Sequence, residues 1–66
     1  MAEKLTPLHQ RILNVLEKVD ELSLASISKR LGLSQIYVKK LLDELIQLQL
    51  IQVLERSGET YYKLSK

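Results

Sequence analysis

The sequence predicts a mainly α fold closed by a small β-hairpin, with three helices followed by two strands. Three observations predict it. Apolar residues recur at helical spacing in three successive segments. Gly32, set between Leu31 and Leu33, marks a tight turn between the second and third segments. Beyond Leu50 the pattern changes to β-forming residues on either side of Gly58.

The first helix is predicted over about 7–19. Thr6 is a suitable N-cap, and Pro7 stands at the first helical position, where its missing N–H costs little. Leu8, Ile12, Leu16 and Val19 then share one face, which Leu13 and Val15 widen. Asp20 and Glu21 would lie at the negative end of the helix dipole, which favours a stop there. Residues Leu22–Leu24 read as a possible short third strand or as the approach to the next helix. With Ser23 as cap, the second helix is expected over about 24–31, with Leu24, Ile27 and Leu31 inward. Ser34 caps a third helix over about 35–48, whose inner face carries Val38, Leu41, Leu42, Leu45 and Leu48. A hairpin follows over about 51–64, with a tip of about four residues from Arg56 to Glu59. Met1–Leu5 is expected to fray.

Composition narrows the classes of function. The 66 residues are read as one domain, 1–66, because two cores cannot be built from so short a chain. A chain of this size buries only about 60% of the surface it exposes when unfolded, so its stability margin is small. With no cysteine, neither a disulfide nor a thiolate metal site can supplement the core. Ten Lys and Arg against eight Asp and Glu leave a net charge of +2, so a basic patch must come from placement rather than from the sum. No run approaches the ~18 apolar residues of a membrane span, and MAEKLTPLH has no apolar signal core. A cytoplasmic protein is therefore expected, or a nuclear one if the source is eukaryotic. His9, the only histidine, is expected on the surface, and no cluster of residues suggests an enzyme, a metal site, a cofactor or a small-molecule ligand.

The details match a known pattern. Ile27 lies five residues before Gly32 and is followed by the small Ser28; Val38 lies six after the glycine, with Leu42 and Leu45 continuing the packing. Leu50-Ile51 leads into the hairpin, and Tyr61-Tyr62-Lys63-Leu64 closes it. In these residues the chain resembles the winged helix-turn-helix superfamily, especially small bacterial and archaeal regulators of the MarR and ArsR types. The resemblance covers about residues 7–64. It implies a domain that binds double-stranded DNA in a sequence-specific way as a transcriptional regulator. The third helix would enter the major groove, and the hairpin, or wing, would touch flanking backbone or minor groove.

On that reading the DNA-binding residues are Ser34, Gln35, Ile36, Tyr37, Lys39, Lys40, Arg56 and Lys63. Gln35 can pair with adenine and a lysine can donate to guanine, while Ile36 can meet a thymine methyl group. Ser34 and the first amides of the third helix suit a phosphate, and so does an unpaired Arg56 at the wing tip. Lys63, alternating outward, would extend the patch. Asp43 is placed to pair with Lys39 or Lys40. Leu5, Leu13, Ile46, Leu48, Leu50 and Leu54 exceed what one face requires, which points to a homodimer as the DNA-binding form. The other reading of the same features is a winged-helix interaction module in a larger transcription, replication or transport assembly.

Overall fold

The computed structural model describes residues 5–65. Its elements are α1 (Pro7–Lys18), β1 (Leu22–Ser23), α2 (Leu24–Leu31), α3 (Gln35–Gln47), β2 (Ile51–Arg56) and β3 (Glu59–Leu64). The strands form one antiparallel sheet in the order β1-β3-β2, so the possible third strand is real and lies on the outer edge of β3. The expected fraying of Met1–Leu5 falls mostly on Met1–Lys4, outside the described residues.

The helix ends follow from local chemistry. Ser23 accepts from the amide of Ser26 at 3.2 Å, and Ser34 accepts from the amide of Tyr37 at 3.2 Å. Each cap satisfies a backbone donor that has no partner inside its helix. Gly32 closes α2 at φ 70°, a left-handed conformation that glycine adopts without a steric penalty. Its amide and that of Leu33 both return to the carbonyl of Ser28, at 2.8 and 3.1 Å. α1 stops at Lys18, one residue short of expectation, because Val19 is already extended. α3 stops at Gln47 rather than at residue 48. Gln49 takes φ 63°, and the amides of Gln49 and Leu50 bond back to Ile46 and Leu45, which completes the stop.

The wing turn is tighter than expected. The ladder continues to the pair Arg56 and Glu59, so only Ser57 and Gly58 form the loop. Both have positive φ, 51° and 80°, the combination whose twist matches two right-twisted strands.

The core collects the inner faces of all three helices and two strands. Ile12, Leu16, Ile27, Leu31, Val38, Leu41, Leu42, Leu45, Ile51 and Tyr62 are buried together. Leu8, Leu13, Leu22, Leu24, Leu33, Ile46 and Leu64 pack around them, partly buried. Leu48 is half-buried, its position following from its place at the end of α3. Alternation puts Tyr62 of β3 on the inner face of the sheet; burial holds its phenol pKa above the ordinary value, so it remains a neutral core side chain.

His9 corrects the expectation of a surface histidine, because it is only 5% exposed. It sits at the third position of α1, where its Nδ1 accepts from the Thr6 amide at 3.1 Å while the Thr6 hydroxyl accepts from the His9 amide. This is a capping box with histidine in the place usually held by Glu or Gln. With Nδ1 as acceptor, Nε2 carries the proton and donates to Glu44 Oε1 of α3 at 2.6 Å. The ring therefore ties the start of α1 to the C-terminal part of α3.

Candidate nucleic-acid interface

The side of α3 away from the core is the exposed polar face of the fold. Val38, Leu41, Leu42 and Leu45 anchor the helix inward. That anchoring turns Gln35, Ile36, Lys39 and Lys40 to solvent, with Tyr37 beside them at 42% exposure. Ile36 is the extreme case at 86% exposure. Ser34 stands at the head of this surface, its oxygen engaged by the amide of Tyr37. Lys29, exposed near the end of α2, borders a concavity with Ser26, Gly32 and Gln35 and so faces the beginning of α3.

The charges on this surface are unequal. Lys39 Nζ donates to both carboxylate oxygens of Asp43, at 3.2 and 3.1 Å, which is the i,i+4 pairing anticipated from the spacing. Among the described residues Lys40 has no acidic partner. Lys40 is thus the uncommitted cation of α3. Lys39, about half exposed, also lines a shallow groove with Leu24, Gln35 and Ile36.

The wing residues lie elsewhere. Arg56 is not an unpaired tip arginine: its Nη1 donates to Glu21 Oε2 at 2.7 Å, although its own side chain remains largely exposed. Lys63 lies on the outer face as alternation predicts but is half-buried there, sharing a cleft with Arg56, Glu17, Asp20 and Glu21. By alternation both basic residues occupy the face of the sheet opposite Tyr62. The structure therefore brings Ser34, Gln35, Ile36, Tyr37, Lys39 and Lys40 together, and it sets Arg56 and Lys63 apart beside acidic residues of the α1–β1 segment.

Sequence reasoning missed the partners Glu21 and Glu44. Neither lies within one helical turn of the residue it holds, so no spacing rule reaches them. The apolar surplus is also smaller than expected. Leu13 and Ile46 pack against the core and Leu48 and Leu54 are half-buried, which leaves Leu5 and Leu50 exposed, joined by Val53.

A helix seated inward by its leucines, with its polar side open at the head of a tight turn and a hairpin beside it, defines a winged helix. Residues 5–52 match the family model described as winged helix-turn-helix DNA-binding, and the chain belongs to that family. No curated protein matches the sequence. Among solved structures it is similar to the adhesin competence repressor AdcR of Streptococcus pyogenes, at 26% identity and a TM-score of 0.89, covering 96% of this chain and 48% of that one. It is also similar to the transcriptional regulator HlyU of Vibrio vulnificus, at 26% identity and a TM-score of 0.85, covering 92% of this chain and 62% of that one. A homodimeric winged helix-turn-helix DNA-binding domain of Mycobacterium bovis shares the fold, at 18% identity and a TM-score of 0.87, over 92% of this chain and 56% of that one. The chain thus spans less than two thirds of each of these neighbours.

Proposed function

We propose that this chain is the DNA-reading part of a cytoplasmic transcriptional regulator that binds duplex DNA sequence-specifically, with α3 in the major groove. The observation that carries the reading is the outer face of α3, where Gln35, Ile36, Tyr37 and Lys40 are exposed on a helix fixed from beneath. Gln35 is the candidate for adenine, Lys40 for guanine or phosphate, and Ser34 with the first amides of α3 for a phosphate. Arg56, already holding Glu21 through one guanidinium nitrogen, and Lys63, in its acidic cleft, are secondary contacts. The reading includes no catalytic step.

The test is a titration of labelled mixed-sequence duplex at several salt concentrations. Four to six phosphate contacts give a log–log slope of about −4 to −5. Lys40→Ala is expected to make that slope shallower by about one. Asp43→Asn is expected to raise affinity, because it removes a negative charge and releases Lys39. Absence of duplex binding even at low salt would return the chain to the interaction-module reading.

We also propose that the DNA-binding form is a homodimer. Leu5, Leu50 and Val53 offer exposed apolar surface, and one recognition helix alone makes few base contacts. The homodimeric state of the Mycobacterium bovis domain supports the reading. Sedimentation equilibrium is expected to show twice the 7.6 kDa chain mass at high micromolar concentration; a monomer there removes the homodimer.

A further inference from the structure

Ile36 presents a problem that folding does not explain. At 86% exposure it gains almost nothing from the core, and a β-branched residue is a weaker helix former than the Lys or Gln residues around it. Ile36 stands between two shallow hollows, a charged one shared with Lys40, Asp43, Glu44 and Gln47 and an apolar one on its other side. The apolar groove is walled by Leu24, Gln35 and Lys39, whose ammonium pairs with Asp43 at 3.1 and 3.2 Å. Beyond it stands Lys40, exposed and unpaired among the described residues. The surface therefore offers one apolar knob beside an apolar groove, with a free cation on its other flank. The complementary ligand is a small apolar group carried on a polyanion. In the major groove of duplex DNA that group is the C5 methyl of a pyrimidine, which lies within side-chain reach of the phosphates.

We propose that Ile36 is a methyl-reading residue that selects, at one position of each bound site, a pyrimidine carrying a C5 methyl group, which is thymine in unmodified DNA. The proposal rests on the DNA-binding reading above and adds to it the chemistry of one contact. Selection by the methyl group rather than by the pairing edge has a direct corollary: cytosine placed there gains affinity when its C5 is methylated.

The test starts from duplexes that the chain selects out of a randomised 20-base-pair pool, and each thymine is then replaced singly by uracil. At one thymine per site the loss of the methyl is expected to weaken binding about three- to fivefold, the scale of one buried methyl group. Ile36→Ala is expected to bind thymine and uracil duplexes equally, with its salt slope unchanged and its far-ultraviolet circular dichroism intact. Placing 5-methylcytosine at that position is expected to improve binding over cytosine by a similar factor. Uniform tolerance of uracil overturns the proposal, and so does discrimination that survives in Ile36→Ala. Failure to bind any duplex at low salt overturns the DNA-binding reading itself, and the proposal with it. Binding with an unchanged salt slope but no methyl effect overturns the proposal alone.

Discussion

Leu42→Ala should cost about 2–5 kcal/mol, a large share of the stability of the domain. Leu42 is fully buried, at 0% exposure, among the residues that seat α3. Truncating such a side chain loses its transfer free energy and leaves a cavity that the neighbours fill only in part. At about 0.05–0.15 kcal/mol per residue, a chain of this length has about 3–10 kcal/mol in total. The variant should therefore show a markedly lower urea midpoint and a large unfolded fraction at 37 °C. Ile36→Ala provides the internal contrast, on the same helix and also a truncation to alanine. Because Ile36 is solvated, its loss should change stability by less than about 0.5 kcal/mol. Equal urea midpoints for the two variants would mean that the inward and outward sides of α3 have been misassigned, and the interface with them.

His9→Ala is expected to cost about 2–4 kcal/mol, an unusual effect for a polar residue in the first turn of a helix. Three contributions add. The variant loses the return half of the capping box to the Thr6 amide, worth about 1 kcal/mol as a typical cap. It loses a short hydrogen bond to a carboxylate, of a kind worth about 1.5–3 kcal/mol, here towards the low end because Glu44 is about half exposed. It also leaves a void where a 95% buried ring stood, the complement of its 5% exposure. His9→Gln separates these contributions. Glutamine is a standard partner in a capping box, so it should recover about 1 kcal/mol, but it does not bridge to Glu44 from the same backbone position. Thermal melts of the wild type and both variants, with Glu44→Ala as a fourth sample, complete the comparison. If His9→Ala and Glu44→Ala each melt within a degree of wild type, the bridge between α1 and α3 contributes nothing.

These two residues also show which parts of the molecule can be read from sequence. Leu42 was placed correctly because it belongs to a local repeat, and a helix of period 3.6 fixes the direction of every residue on it. The same local logic located Ser23, Gly32 and Ser34, and it put α2 at its observed limits. His9 was misplaced because its burial is decided by Glu44, 35 positions away in the chain. Arg56 was misjudged for the same reason: Glu21 lies 35 positions before it, beyond any periodicity. Within the candidate interface, the clustering of Gln35, Ile36, Tyr37, Lys39 and Lys40 was legible because they share one helix. The separation of Arg56 and Lys63 from them was not, because it depends on which side of the sheet each strand residue takes and on what the α1–β1 segment places there. The hairpin loop was overestimated because Arg56 and Glu59 look like turn residues by composition, whereas the ladder extends as far as the two left-handed positions allow.

The closure of the wing on Ser57 and Gly58 has an architectural consequence. Both residues are solvent-exposed, and a side-chain carbon added at Gly58 would meet nothing within 4 Å. The hairpin behaves as a stub of set length, because no slack chain projects past its last paired residues to reach along or around a cylinder. Its end is also where length can be added most cheaply, since doubling a flexible insertion raises the closure cost by only about 0.6 kcal/mol and disturbs no packed neighbour. A longer finger grafted there would widen the footprint on a polymer while leaving the globule beneath unaltered.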